Sequence, residues 1–292
     1  MIPPEYAAFV DDAAIFPPGN THLDVAVRDH RENAGAPYAP LLGPFVVSDV
    51  RIPDLLEVLT LSPGPRLPVT VVVTGGAGGI EPASRWASGS DLLELRSLEI
   101  ALRDLDDLAG NARRVAAAAD NGLDVPVHVE PPLSADLVGG HGWSAALDVV
   151  AEHELRLKWR TGGATADMFP PAETLATAID AALDRELPFS CTAGLHRAVR
   201  HFDDGTGLEH HGFLNVLLAT RAAFDGAGRS EVVALLEERD AGAVRDRVES
   251  VGSEALTRAR RWFTSFGCCG VLDPLEDLLD LGLVHPGTPP AP

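Results

Sequence analysis

Lysine is almost missing from this sequence of 292 residues: Lys158 is the only one, and arginine supplies the rest of the Lys and Arg total. Arginine keeps its charge under nearly all conditions, whereas a lysine amine can lose its proton when it is desolvated or crowded by cations. The neutral amine can then attack a carbonyl carbon and form a Schiff base. Position 158 is therefore the first candidate for chemistry that arginine cannot perform.

Positive charge is scarce as a whole, and the formal net charge is −20. This charge argues against nucleic acid or an anionic membrane surface as a partner, although a local cationic pocket could still bind a small anionic substrate. Long apolar runs are missing too. No stretch of about 18 apolar residues predicts a membrane span, and no charged segment followed by an apolar one predicts a secretory signal.

Cysteine and aromatic residues are few. The three cysteines are Cys191, Cys268 and Cys269, an odd number with two adjacent. Their spacing is not that of a zinc site. We therefore expect reduced thiols in a cytoplasmic protein, with no metal and no cofactor. Aromatic residues make up 5% of the chain, so alanine, valine and leucine must do most of the core packing.

Short apolar or alternating segments recur along the chain, and each is followed by a segment of helical pattern. Such alternation predicts βαβ units with parallel strands, and eight strands favour a closed (β/α)8 barrel over an open doubly wound sheet. We expect one TIM-barrel domain over residues 1–285, with a long, mostly helical connection at 197–261 between the seventh and eighth strands. A disordered tail is expected at 286–292. The predicted strands are 12–16, 45–48, 69–74, 92–98, 125–130, 155–160, 189–193 and 262–267.

Polar side chains fall on the inward face of four consecutive predicted strands, because successive side chains of a strand point to opposite sides. A barrel interior is usually filled by branched apolar residues, so charges there need partners. They form either an inert network of ion pairs or an active site at the carboxyl-terminal mouth, where Arg156 and Arg160 would favour a neutral Lys158 amine. The residues predicted to point inward are Glu94, Arg96, His128, Glu130, Arg156, Lys158, Arg160, Ser190 and Thr192.

Several of these strands resemble those of class I aldolases, most closely the deoxyribose-phosphate aldolase family. The stretch Lys158-Trp159-Arg160-Thr161-Gly162 resembles that family's strand-six signature, in which Thr and Gly follow the lysine by three and four positions. The resemblance implies a barrel fold, a Schiff-base role for Lys158, and a proton-transferring role for Glu94 together with a water. Further similar stretches lie in the same order at 89–94, 127–130, 190–196 and 265–269, the last where the family has a phosphate-binding loop.

Three features depart from that family's pattern, and one is that the fourth strand carries Glu94 where the family has Asp. The family has a second lysine at the start of its strand-seven motif, whereas Ser190 or Cys191 stands there in this chain, so Arg156 or Arg160 would have to replace its charge. Adjacent cysteines also occupy the phosphate-loop region, where small hydroxyl residues are usual. The chain resembles, in addition, an uncharacterised bacterial TIM-barrel family with the same Arg-Thr-Gly-Gly and Thr-Ala-Gly-Leu-His stretches.

The sequence thus favours a Schiff-base lyase that acts on a small anionic or phosphorylated carbonyl compound, in a chain that could form a homo-oligomer. One alternative is a metal- or acid/base-dependent barrel enzyme, in which His128, Glu130, His196 and His210 or His211 would be the metal ligands. Another is a non-catalytic barrel that binds a phosphorylated metabolite. The predicted catalytic residues are Lys158, Glu94, Glu130 and His196, and the predicted substrate- or phosphate-binding residues are Arg96, Arg156, Arg160, Gly162, Gly163, Ser190, Thr192 and Gly267.

Three further patterns bear on the interior and on the long connection. Asp11 and Asp12 are either inward carboxylates of the first strand or surface acids. His210 and His211, with Asn215 one turn further on, could form a lid over the mouth, but we favour solvated surface. The stretch 273–276, Asp-Pro-Leu-Glu, has the pattern of a capping box that opens the last helix.

Overall fold

The computed structural model describes residues 1–120 and 122–285, and it contains ten strands and eleven α-helices in these ranges. The strands are β1 Val10–Asp12, β2 Leu42–Ser48, β3 Leu67–Val73, β4 Leu93–Ala101, β5 Val127–Glu130, β6 Arg156–Arg160, β7 Phe189–Thr192, β8 His201–Asp203, β9 Leu208–His210 and β10 Phe263–Cys268. The helices are α1 Leu23–Ala34, α2 Ile52–Leu61, α3 Ile80–Ser88, α4 Leu108–Ala119, α5 His141–Glu152, α6 Ala172–Leu183, α7 Phe213–Phe224, α8 Arg229–Glu237, α9 Ala241–Val251, α10 Ser253–Ala259 and α11 Leu272–Asp280.

Eight parallel strands close into a barrel in the order β1, β10, β7, β6, β5, β4, β3 and β2, with helices between them. The predicted (β/α)8 barrel is therefore confirmed. The long connection between β7 and β10 carries four helices, and it also contains β8 and β9, a two-stranded antiparallel sheet that the sequence did not reveal. No helix within the described ranges is both long and apolar enough to cross a membrane.

Aromatic side chains on the outer face of the barrel pack against the surrounding helices. Trp159 of β6 is fully buried and stacks on Trp143 of α5, with ring centroids 5.8 Å apart. Phe266 of β10 stacks on Phe213 of α7 at 5.0 Å. Burying an aromatic side chain of this kind stabilises a fold by about 1.5–3 kcal/mol. The alternation of apolar residues in β6 thus fixes which side chains can reach the interior, and Lys158 is one of them.

A β-bulge in β4 reverses the direction of its side chains. Val69 of β3 lies opposite Leu95, but the next residue, Thr70, lies opposite Ser97, so Arg96 is the extra residue. Because the side-chain period of a strand is two, one extra residue moves every later side chain to the other face. The strand also continues to Ala101 rather than ending at residue 98 as predicted.

Glu94 precedes the bulge and does not lie in the enclosed interior as predicted, whereas Arg96, the extra residue, lines a cavity at the amino-terminal ends of the strands. Both side chains are about half exposed and form an ion pair of 3.0 Å with each other near the start of β4. Beyond the bulge, Leu98 and Ile100 are buried in the apolar core, and Glu99 faces inward. Glu99 therefore takes the place expected of Glu94.

The two ends of the chain differ from the predictions in detail. The first strand begins at Val10, earlier than predicted, and the side chains of Asp11 and Asp12 are both buried. Helix α11 begins at Leu272 with Val271 at its N-cap and without a side-chain capping bond, so the predicted capping role of Asp273 is wrong. The tail predicted at 286–292 lies outside the described residues.

Candidate active site

The barrel interior contains a buried ion pair between Lys158 of β6 and Glu99 of β4. The Lys158 ammonium donates a hydrogen bond to Glu99 Oε1, and the two side chains are only 2% and 7% exposed. The bulge in β4 and the alternation of β6 together bring them face to face. A buried ammonium and a buried carboxylate need each other, since either charge alone would be left without compensation in an apolar environment.

A second carboxyl group, that of Asp11, interacts electrostatically with the Lys158 ammonium. Asp11 of β1 is buried and accepts a hydrogen bond of 2.7 Å from Ser265 Oγ of β10. Burial raises the pKa of Asp11 to about 7, and the Glu99 charge adds to this rise, whereas Lys158 and the Ser265 hydrogen bond oppose it. A carboxyl group with a pKa near neutrality can both release and accept a proton at physiological pH.

His128 of β5 completes the interior group as a neutral imidazole. Burial lowers the pKa of His128 to about 3, with smaller contributions in the same direction from Lys158 and Arg156. Its Nδ1 lies 3.0 Å from Ser190 Oγ of β7, and Ser190 lies opposite Lys158 in the β6–β7 pairing. The interior thus brings together the Lys158 ammonium, two carboxyl groups, one neutral imidazole and the hydroxyl groups of Ser190 and Ser265.

A cavity of about 170 Å³ lies beside this group, toward the amino-terminal ends of the strands. Glu99, Asp11 and His128 line it, and Arg156, the first residue of β6, lines it as well. Pro126, which precedes β5, is a further lining residue. The cavity therefore lies at the amino-terminal end of the barrel. The sequence predicts the site at the other end, the carboxyl-terminal mouth.

A larger cavity of about 270 Å³ lies between α7, α8 and α9, with Leu218, Leu235 and Val244 in its wall. The charged residues that line it, such as Glu231 and Arg247, pair with each other at the surface. No buried titratable group faces this cavity, so the smaller cavity beside Lys158 is the better candidate for chemistry.

The carboxyl-terminal mouth holds a different set of predicted residues. Arg160, the last residue of β6, forms two hydrogen bonds to Glu130, of 2.6 Å and 3.4 Å, and its side chain is 41% exposed. Thr192 lies opposite both Arg160 and Gly267 in the barrel pairing. The Glu130 carboxylate accepts two hydrogen bonds from the Arg160 guanidinium and compensates its positive charge. Arg160 is therefore a weaker binding group for a substrate anion.

Two predicted phosphate-binding glycines have a packing reason of their own. A Cβ at Gly162 would come within 2.8 Å of Gly194 Cα, and a Cβ at Gly163 would come within 2.1 Å of Met168 Sδ. These contacts explain why the loop after β6 needs glycine. A phosphate-binding role for Gly162 and Gly163 stays a prediction.

His196 lies away from the interior group, in the loop after β7. Its Nδ1 is 3.4 Å from Cys268 Sγ and 3.7 Å from Cys269 Sγ. The metal ligands considered from sequence are not brought together, since His128 contacts Ser190 and Glu130 contacts Arg160. Over the described part of the chain, the residues whose ligand atoms do lie close together are His196, Cys268 and Asp273.

The expectation of a solvated surface at His210 and His211 is wrong. His211 is 1% exposed, with its Nε2 2.8 Å from the carbonyl oxygen of Pro170, and burial lowers its pKa to about 4. Asn215 is fully buried, accepts a hydrogen bond from the Arg200 amide, and donates to the carbonyl oxygens of Leu235 and Glu238. These side chains therefore hold the long connection in place.

Sequence reasoning missed Glu99, although a signal for it exists. Residues 97–100 alternate polar and apolar, with Ser97 and Glu99 on one face and Leu98 and Ile100 on the other. Extending the predicted fourth strand over this alternation would have placed Glu99 inward. The bulge itself has no signal of its own, because Arg96 continues the polar pattern of the preceding residues.

An aldolase of known structure has a similar fold. The tetrameric deoxyribose phosphate aldolase from Aeropyrum pernix superposes with a TM-score of 0.53 at 13% identity, over 95% of this chain and 93% of that chain. Identity this low shows a common fold and no more. No family model matches the chain, and no curated protein matches it.

Proposed function

We propose that this protein is a Schiff-base lyase of the class I aldolase kind, which acts on a small anionic or phosphorylated carbonyl compound. The observation that carries the proposal is the buried pair of the only lysine with Glu99, beside a cavity and a second carboxyl group. Glu99 replaces Glu94 in the role that the sequence resemblance suggested.

The first step in this proposal is a proton transfer from the Lys158 ammonium to Glu99. The two side chains are buried and hydrogen-bonded to each other, so the proton has a direct path from the amine to the carboxylate. The amine lone pair then forms a bond to the carbonyl carbon. Glu99 returns its proton to the departing hydroxyl, water leaves, and the resulting iminium ion lies beside a carboxylate that stabilises it.

Asp11 would serve as the second acid/base group. In the cleavage direction a base removes the proton of the substrate hydroxyl, the carbon–carbon bond breaks, and its electron pair moves to the iminium to form an enamine. Protonation of the enamine carbon and addition of water then release the second product and the free amine. The pKa of about 7 that burial gives Asp11 suits it to both directions of transfer.

The cavity lining supports a small and negatively charged substrate. Arg96 and Arg156 both line the cavity, and Arg156 remains charged although burial lowers its pKa. The volume of about 170 Å³ favours a short carbon chain. We place the substrate in this cavity rather than at the carboxyl-terminal mouth, where Glu130 and Arg160 pair with each other.

Three coarser features belong to the same proposal. We expect a homo-oligomer, since the Aeropyrum pernix aldolase is a tetramer. We expect one catalytic barrel domain over residues 1–285. We also expect a cytoplasmic location, in keeping with Cys191, Cys268 and Cys269 as free thiols.

Reductive trapping tests the Schiff base directly. The protein is incubated with short aldehydes and 2-keto acids, with and without a phosphate group, then reduced with borohydride and mapped by peptide mass spectrometry. Because the chain has a single lysine, an adduct on a side-chain amine can only be on Lys158. The Lys158→Arg variant is the control that should lose the adduct and all turnover. Absence of a Lys158 adduct across the panel would overturn the proposal.

The same variant separates catalysis from simple binding. A non-catalytic barrel that binds a phosphorylated metabolite needs only a positive charge at position 158, so Lys158→Arg would still bind the ligand in calorimetry. In a Schiff-base enzyme the arginine variant is inactive because a guanidinium is not deprotonated in proteins.

A further inference from the structure

A cluster of metal-ligating side chains lies at the carboxyl-terminal mouth, apart from the Lys158 group. Cys268 ends β10 and Cys269 follows it, His196 lies in the loop after β7, and Asp273 lies in the first turn of α11. The ligand atoms of His196, Cys268 and Asp273 all lie within 4.8 Å of one another. We propose that these three side chains bind a divalent ion of the zinc type.

The distances between the ligand atoms fit tetrahedral zinc. Zn–S bonds of about 2.3 Å and Zn–N bonds of about 2.0 Å at a tetrahedral angle place sulfur and nitrogen roughly 3.6 Å apart. His196 Nδ1 lies 3.4 Å from Cys268 Sγ and 3.7 Å from Cys269 Sγ. The nitrogen of His196 and the sulfur of Cys268 therefore lie where two ligands of one shared ion would lie.

Hydrogen bonding alone accounts less well for this arrangement. Two thiols converge on the same ring nitrogen of His196, and a neutral imidazole nitrogen has one lone pair to offer. Cys268 Sγ also donates toward the carbonyl oxygen of Gly270 at 3.2 Å, so its proton has another partner. An ion that replaces the Cys268 thiol proton would be bound by the nitrogen and this sulfur at once.

The types of donor select a soft ion. Thiolate and imidazole ligands prefer zinc to magnesium or calcium, which take oxygen ligands. Zinc binds the deprotonated thiol and the neutral imidazole, so binding at this site would release protons to solvent.

The backbone around the cluster is arranged to bring the ligands together. Ala193 and Gly194 both have positive φ, of 58° and 75°, and this turn directs the chain after β7 toward β10. A Cβ at Gly270 would come within 2.7 Å of Asp273 Oδ2, so glycine leaves room for that carboxylate. Asp273 makes no capping bond that would hold its side chain elsewhere. A left-handed alanine persists only where its surroundings stabilise it, and such positions concentrate at functional sites.

Metal binding by the purified full-length protein tests the proposal. The protein is equilibrated with zinc, dialysed and assayed by inductively coupled plasma mass spectrometry, and zinc affinity is measured by competition with a chromogenic chelator. We expect stoichiometric zinc, and with cobalt in its place the thiolate-to-metal charge-transfer absorption of a tetrahedral site. Cys268→Ala should weaken zinc binding at least about a hundredfold, since even indirect partners of metal ligands contribute about 10–100-fold.

Cys191→Ala is the matched control, because Cys191 is a buried free thiol in β7 on the outer side of the barrel wall. It should bind zinc as the natural protein does, and circular dichroism should show that both variants fold. Substoichiometric zinc, equal affinity of the Cys268→Ala variant, or a disulfide between the adjacent cysteines in unreduced protein would each overturn the proposal. Lys158→Arg should keep the zinc site while losing the borohydride adduct, so failure of one proposal is distinguishable from failure of the other.

Discussion

Replacing Lys158 by methionine should destabilise the protein far more than the loss of a surface ion pair would. The substitution keeps an unbranched side chain of similar length but leaves the Glu99 carboxylate, whose side chain is 7% exposed, without its cationic partner. Breaking a buried ion pair by removing one member costs about 3–5 kcal/mol, because the remaining charge is buried and uncompensated. We expect a loss of this size in the free energy of unfolding at neutral pH.

Urea denaturation followed by circular dichroism measures the effect, and two further variants show its origin. The double variant Lys158→Met with Glu99→Leu removes both charges and should recover most of the lost stability, since replacing a buried pair by apolar residues is often neutral or stabilising. Arg85→Met breaks an exposed pair with Glu81, whose side chains are 77% and 64% exposed. It should cost less than about 1 kcal/mol.

The pH dependence adds an independent check. Protonation would neutralise the unpaired Glu99 carboxyl group, so the difference between the Lys158→Met variant and the natural protein should shrink as the pH falls. Two results would contradict this reasoning: a loss in the free energy of unfolding of Lys158→Met below about 1 kcal/mol, or a double variant no more stable than Lys158→Met. Either would show that Lys158 and Glu99 do not need each other in order to be buried. The proposed proton transfer between them would then lose its structural basis.

The remaining predictions concern two titrating groups and one glycine. Burial raises the pKa of Asp11 from its ordinary value of 3.8 to about 7, so its contribution to the stability of the fold is present below pH 3.8 and is lost as the pH rises through about 7. The free energy of unfolding, measured by urea denaturation, should therefore fall across this pH range, and Asp11→Asn should make that fall smaller. The lowered pKa of His128 has the opposite effect: its contribution to stability is present above the ordinary histidine pKa of 6.5 and is lost as the pH falls toward about 3. His128→Gln should therefore reduce the loss of stability at acid pH in the same assay. Gly162→Ala should lower the free energy of unfolding by about 1–3 kcal/mol, because the added Cβ would come within 2.8 Å of the Gly194 backbone. Gly142→Ala, whose Cβ would meet nothing within 4 Å, should leave it unchanged or raise it.

The sequence predicted the barrel well because the signal for it is repeated. Each strand carries its own alternation, and each is followed by helical periodicity, so an error in one strand does not change the topology. The valine-rich β3 and the alternating β6 were located almost as the structure has them. The short β8 and β9 were missed, since strands of three residues in a long connection leave too little pattern to detect.

The candidate site was predicted less well because its geometry depends on single events. One extra residue in β4 exchanged Glu94 for Glu99 as the partner of Lys158. The position of the cavity at the amino-terminal ends of the strands could not be read from residue types. His196 was predicted to be a catalytic residue at the carboxyl-terminal mouth, and it lies there beside Cys268, apart from the Lys158 group.

The choice of lysine at position 158 is itself an argument about function. Elsewhere in the described residues arginine or histidine makes the ion pairs with carboxylates, including the Arg160–Glu130 pair on the same strand as Lys158. Arginine is the better residue for a permanent pair, because its guanidinium forms two parallel hydrogen bonds and is more weakly hydrated than an ammonium. A purely structural pair with Glu99 would therefore gain from arginine. What lysine adds is a proton that can leave and a lone pair that can attack, and the proposed Schiff-base role requires both.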